Sequence, residues 1–277
     1  MTARSGWPIS GVDFTSRPRK QKPIAIATGR MCSRAFELEG VEEYCDWGGF
    51  ESWLKRDGPW VAGFDFPFGL PREATGDLGW PATWRELVLY CRSLGRESFR
   101  MTLDRYRASR PAGNRYAHRA TDHPAASHSP LKLVNPPVGL MFLEGAPRLL
   151  DAGITIPGLT KGDPLRIAFE AYPGFVARQM VKGSYKNDAR AKQTPQRMRA
   201  RKMIVAALLS TGNPFGFALS ASPRTLSLLV RDATGDWLDA VMCALQAAWA
   251  WQRRSDNYGL PSKIDSLEGW IATVAEN

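Results

Sequence analysis

Three short apolar runs each carry one acid: Gly11-Val12-Asp13-Phe14-Thr15, Val61-Ala62-Gly63-Phe64-Asp65-Phe66-Pro67 and Ile167-Ala168-Phe169-Glu170-Ala171-Tyr172-Pro173. Each reads as a buried strand that closes on a turn. A charge inside such a strand costs several kcal/mol unless a cation or a proton compensates it, so three of them in one chain point to a site.

The same reading extends along the chain. Residues 10–16 form a first strand, and the basic, Pro-bounded stretch Arg17 to Pro23 turns it into a second, Ile24 to Thr28. Alternation through Ala35-Phe36-Glu37-Leu38-Glu39 predicts a third strand. Residues 46–56 are helical, with Phe50, Trp53 and Leu54 on one face and Asp57-Gly58-Pro59 as the stop, and the fourth strand is Trp60 to Phe66. From Pro71 to about Pro164 the pattern is irregular, with helices near Trp84 to Leu94 and Val138 to Leu150. This stretch reads as an insertion that covers or shapes the site. After the Glu170 strand come an amphipathic helix over Gln196 to Leu209, a helix opened by Ser222-Pro223 and running to about Arg231, and a last long helix from Thr234 as cap to about Arg254.

Composition narrows the class. A chain of 277 residues, 44% apolar, builds one large domain, or a core domain with an inserted piece. The formal charge of +10 favours an acidic partner, nucleic acid first, although a merely basic enzyme fits the number as well. Two runs concentrate the charge. Arg92 to Arg119 holds eight arginines against Glu97 and Asp104, with Phe99, Tyr106 and Tyr116 among them, a mixture that suits phosphate contact with base stacking. Arg178 to Lys202 holds nine Lys or Arg against Asp188. Lys182, Lys186, Arg190 and Lys192 from the second run, with Arg105 and Arg107 from the first, are the candidate substrate contacts. Cys32, Cys45, Cys91 and Cys243 have no metal or disulfide spacing and read as reduced thiols. No apolar h-region opens the chain and no apolar stretch reaches a membrane span, so a cytoplasmic, soluble protein is expected.

The last helix begins Asp236-Trp237-Leu238-Asp239-Ala240. Asp236 and Asp239, three apart, share a face in its first turn. The helix macrodipole alone could account for both. The same face continues into Ala240 and Cys243, however, small residues that allow close packing on a sheet and aim the acids at strand ends. Asp13, Asp65, Glu170, Asp236 and Asp239 thus form one candidate catalytic set, and no Arg or Lys nearby in sequence neutralises each of them. Magnesium or manganese prefers such oxygen ligands, and two such ions roughly 3.5 to 4 Å apart can hydrolyse a phosphodiester.

The order of these motifs resembles the ribonuclease H-like superfamily, and in particular an uncharacterised family of predicted nucleases within it. The resemblance rests on Gly11-Val12-Asp13-Phe14, Gly63-Phe64-Asp65-Phe66-Pro67-Phe68-Gly69, Glu170-Ala171-Tyr172-Pro173 and Asp236-Trp237-Leu238-Asp239-Ala240-Val241-Met242-Cys243-Ala244-Leu245. It implies an α/β fold: a mixed five-stranded sheet with helices on both faces, Asp13 at its centre, and an inserted segment at about 71–164. It further implies a divalent-metal-dependent nuclease whose metal is held by Asp13 and Asp65 with one or both of Asp236 and Asp239. Under it Glu170 is a ligand, a general base or an orienter of Lys186, which ends the family-like stretch Lys182-Gly183-Ser184-Tyr185-Lys186.

Rival readings are weaker. His118, His123 and His128 recur at a spacing that neither helix nor strand fixes, and read as ordinary loop rather than a metal site. No Gly-x-Ser-x-Gly turn supports a nucleophilic serine. A nucleic-acid-binding module with the same fold and no turnover is the main alternative. A phosphotransferase of the actin-like or sugar-kinase type needs glycines after the first aspartate, and Asp13-Phe14-Thr15-Ser16-Arg17-Pro18 has none.

Overall fold

The computed structural model describes residues 6–187 and 189–276. The chain runs β1 (Ile9–Asp13), β2 (Ile24–Cys32), β3 (Ala35–Tyr44), α1 (Trp47–Leu54), β4 (Trp60–Phe64), α2 (Arg72–Asp77), α3 (Trp84–Ser109), α4 (Asp122–Ala125), α5 (Val138–Asp151), β5 (Ile154–Thr155) and β6 (Asp163–Glu170). It continues through α6 (Pro173–Met180), α7 (Pro195–Leu208), β7 (Ala218–Ser220), α8 (Pro223–Arg231) and α9 (Asp236–Gln252). The fold is α/β. Its sheet has the order β5-β6-β4-β1-β2-β3-β7, with β1 in the interior.

Seven strands replace the five expected. The additions are the edge strands β5 and β7, two and three residues long, too short for alternation to reveal. The basic turn closes the first hairpin through reciprocal backbone hydrogen bonds between Arg19 and Lys22. β2 and β3 run longer than their alternation suggested and pair antiparallel with an irregularity at Thr28/Gly29. β1, β4 and β6 run parallel, so their carboxyl ends lie along one edge of the sheet.

Helices cover both faces. On one, Val12, Phe64 and Ala168 pack with Phe50 and Trp53 of α1, Leu87, Phe99 and Leu103 of α3, and Phe142 and Leu149 of α5. The 71–164 segment is therefore no appendage: its helices form one of the two layers that bury the sheet. Its irregularity in sequence reflects local breaks, such as Gly95 with φ 69°, where the chain leaves helical geometry partway along α3. On the opposite face Ile9, Val61, Ile167 and Phe169 pack under α6, α7, α8 and α9. Among the described helices none is long and apolar enough to cross a membrane.

α9 is buried along most of its length and lies directly on the strands. Gly11 of β1 and Gly63 of β4 are register partners. A Cβ at Gly11 would stand 2.0 Å from the Ala244 amide nitrogen, and one at Gly63 would stand 2.4 Å from the Cys243 carbonyl oxygen. The helix backbone thus rests on the strand backbones, which only glycine permits. Gly11→Ala and Gly63→Ala should each lower stability by at least about 1 to 3 kcal/mol through forced separation of these layers. Urea unfolding midpoints would show it, and an unchanged midpoint would mean that the helix does not seat on this pair.

Candidate metal centre

The strand pleat decides which acids meet. Successive side chains of a strand point to opposite faces, so Asp13 and Asp65, each two residues beyond a glycine under α9, point to the α9 face. Asp65 lies just past β4, yet its amide still donates to the Val12 carbonyl at 2.9 Å, which carries the strand geometry one residue further. Asp239 stands in the first turn of α9, four residues before Cys243 and so on the same side of the helix. One oxygen each from Asp13, Asp65 and Asp239 lies within 4.8 Å of the others. Opposite oxygens of an octahedral magnesium site are about 4.2 Å apart, so a small closure would bring these three onto one ion. Asp13 is buried, and its Oδ2 makes no hydrogen bond to any described group. A buried carboxylate with one oxygen unpaired, gathered with two other carboxylates, has the chemistry of a ligand for a hard cation.

The cluster is only partly compensated. Lys186 donates to Asp239 Oδ2, and the Tyr185 hydroxyl donates to Oδ1 at 2.5 Å. Burial opposes the charge on Lys186, but Asp239, Asp13 and Asp65 hold its ammonium well above the ordinary value. Burial pushes the Asp13 carboxyl up, with Asp236 and Asp239 adding and Lys186 and Lys22 opposing. The Asp65 carboxyl is pushed up to about 7, by burial first and by Asp239 and Glu170, against Lys186 and Lys22. Asp239 moves in the same direction, again through burial, despite its two hydrogen bonds.

Asp236 stands outside the three-carboxylate group. It is bound by Lys22 Nζ at 2.6 Å, from the turn between β1 and β2. Its charge still reaches Asp13. The helix start differs from the expected one: Gly235, in the left-handed region at φ 79°, precedes the first turn, and the Asp232 carboxylate rather than Thr234 accepts the Trp237 amide at 2.9 Å. Gly235 also makes room for Lys186, whose Cβ would lie 2.8 Å from any Cβ there.

Glu170 faces the other way. In register it pairs with Phe64, which pairs with Val12, so its side chain shares their face and not that of Asp13 and Asp65. Arg119 meets it in a fork, Nη1 to Oε2 and Nη2 to Oε1 at 2.7 Å each, and the Phe68 amide donates to Oε2 at 2.9 Å. Arg119 also binds Asp122 Oδ1 at 2.9 Å and the Glu268 carbonyl at 3.0 Å. Burial opposes its charge, and Asp122 and Glu170 more than offset this, holding the guanidinium above its ordinary value. The expected roles of ligand, base or orienter of Lys186 do not fit a carboxylate with both oxygens so engaged. Glu170 instead ties the end of β6 to the turn after Asp65.

The basic candidates divide. Lys186 is in the cluster, while Lys182, Lys192 and Arg105 are exposed. The side chain of Arg190 lies outside the described residues. Arg107 binds Asp104 and, at 2.6 Å, the Tyr116 hydroxyl. Phe99 and Tyr106 are core residues, so the first run offers no open row of stacking rings. The His118 and His123 rings lie 4.9 Å apart, tilted by 36°, and His128 contacts Lys132 at 3.1 Å. None of the three joins a metal-ligand group among the described residues. Lys22, Tyr185 and Arg119 drew no role from the sequence. Their partners lie 214, 54 and 51 residues away, and only the position of Tyr185 beside Lys186 hinted at one.

A cleft of about 580 Å³ opens on Asp65, Asp239 and Lys186 and reaches back to the Arg119–Glu170 pair. Fold and site together define an α/β protein with a carboxylate cluster at the carboxyl edge of parallel strands, where ligands of such sheets are bound. The chain belongs to a family described as a protein of unknown function (DUF429), whose model matches residues 11–263. No curated protein and no solved structure matches it.

Two measurements follow from this geometry. With a folded-state value near 7 against an unfolded value of 3.8, Asp65 ionises first in the unfolded chain as pH rises, so stability is lost between those values. Asp65→Asn should therefore raise the thermal midpoint of metal-free protein at about pH 8, with the gain vanishing near pH 4. Glu170→Ala leaves the buried Arg119 with Asp122 as its remaining carboxylate and should cost about 3 to 5 kcal/mol in urea unfolding.

Proposed function

We propose that the protein is a divalent-metal-dependent nuclease that hydrolyses phosphodiester bonds, with Asp13, Asp65 and Asp239 holding magnesium or manganese. The observation that carries this reading is the convergence of three carboxylates on α9, β1 and the end of β4, one of them with a buried oxygen that has no hydrogen bond to any described residue. The ribonuclease H-like resemblance supports it: β1 is interior, Asp13 stands at its end, and helices cover both faces. The net charge of +10 suits a polyanionic substrate.

The ion, when bound, supplies Lewis acidity and a water of lowered pKa. The chain's own residues do the rest. Tyr185 fixes the Asp239 carboxylate by its Oδ1, leaving Oδ2, where Lys186 now sits, as the face open to exchange. Displaced from Asp239, Lys186 has the charge and reach to take a phosphate oxygen in the same cleft. Lys22 holds Asp236 beside the cluster, where its charge raises the cation affinity without a place in the ligand group.

A nucleic-acid-binding module without turnover is the second reading, favoured by Lys186 and Lys22, which already occupy Asp239 and Asp236. One comparison separates the two. Wild type should cleave at least one of single-stranded DNA, RNA, hybrid or branched substrates with magnesium or manganese, and Asp13→Asn should lose about 100-fold or more. Manganese should also raise the thermal midpoint of wild type and not of Asp13→Asn. No variant-sensitive cleavage on any substrate, with salt-dependent binding that survives Asp13→Asn, would favour the binding module.

A further inference from the structure

The substrate class of the site can be read from the cleft in front of it. We propose that this cleft receives one unpaired nucleotide, so that the protein acts on single-stranded nucleic acid and not on duplex. The inference rests on the nuclease reading for what happens at the acid end, but its own ground is the shape and chemistry of the cleft.

At about 580 Å³ the cleft is the size that takes a single small ligand, far less than the volume of a double helix. One end is ionic: Asp65, Asp239 and Lys186 stand there, where a phosphodiester would lie. The walls beyond are mostly apolar, although Ser127, His128 and Ser184 also line them. Val138 and Met141 of α5 line it together with Pro173 and Ala177 of α6. An unpaired base can be held between apolar side chains of this kind by burial of its faces. Enzymes that act on a base or at an unpaired nucleotide use pockets of this kind, and pay for unpairing if the substrate is duplex.

The back of the cleft is rigid. The Arg119–Glu170 fork closes it with both groups buried, so no polar group there is left seeking a partner. Tyr172 carries the exposed Arg178, whose guanidinium lies 5.1 Å from the ring centroid and donates to the Ala125 carbonyl at 2.5 Å, which holds a positive charge at the edge of the cleft. The outer basic run, by contrast, is poorly built for stacking. Tyr106 is buried with Arg110 over its ring at 5.3 Å, and Tyr116 has Arg107 over it at 5.2 Å. Base recognition is thereby concentrated in the cleft.

The test is equilibrium binding by fluorescence anisotropy, in calcium-containing buffer, of a labelled oligothymidylate and of the same strand annealed to oligoadenylate. Wild type should bind the single strand about 10-fold or more tightly than the duplex. Met141→Glu and Val138→Glu each place a carboxylate in the apolar wall of the cleft, and each should weaken single-strand binding about 10-fold, with thermal unfolding used to confirm that the variant is folded. Equal affinity for single strand and duplex would overturn the proposal. So would single-strand binding by either folded glutamate variant at the wild-type level. A wrong nuclease reading would look different: no manganese uptake and no cleavage, with the binding ratios intact.

Discussion

The contact on which the site depends is a helix backbone laid on two strand backbones. Gly11 and Gly63 are neighbours in the sheet, and each stands two residues before an aspartate. With no Cβ between them, the spacing of α9 above β1 and β4 is set by main-chain atoms at Ala240, Cys243 and Ala244. Side chains can repack; a backbone contact has little freedom to do so. The first turn of α9 is thereby held over the carboxyl ends of the two strands, and Asp239 over Asp13 and Asp65. Sites carried on regular elements in this way are held more closely than sites on loops.

Holding three acids together works against stability. Lys186, Tyr185 and Lys22 reduce the repulsion without removing it, and the carboxyls of Asp13, Asp65 and Asp239 remain displaced upward. The Glu170 region shows the contrast. There burial also pushes the Glu170 carboxyl up, but it meets a buried guanidinium in a fork, with a backbone amide in addition, so both of its oxygens are engaged. One acid group has its carboxylate oxygens engaged, while the other keeps Asp13 Oδ2 without a described partner. A folded protein keeps an imbalance of the second kind where function requires it.

The segment 71–164 serves both ends. Its helices bury one face of the sheet, and its residues also form part of the cleft wall, with Val138 and Met141 from α5 and Arg119 from the approach to α4. It reads as an insertion because its helices are interrupted by turns and prolines, and periodicity cannot report which face of a distant sheet a helix will cover. The helices α1, α5, α7 and α8 fall within a residue or two of their predicted bounds, since caps, stops and apolar spacing are local. The two-residue β5 and three-residue β7 escape the same reading because so few positions carry no period.

By itself the sequence determined the α/β class, the positions of Asp13 and Glu170 in strands and of Asp65 at a strand's end, and the pairing of Asp236 with Asp239 on one helix face. All of these depend on residues close together in the chain. The tertiary structure alone decided which acids share a site. Strand register sends Asp13 and Asp65 to the α9 face and Glu170 to the other, and a shift of one residue would have reversed that assignment. It also supplied the compensating cations, Lys22 for Asp236, Lys186 for Asp239 and Arg119 for Glu170, from positions remote in the chain. Local sequence encodes the side chain's element and its period, whereas the face it meets and the charge it finds there arise only when distant elements pack.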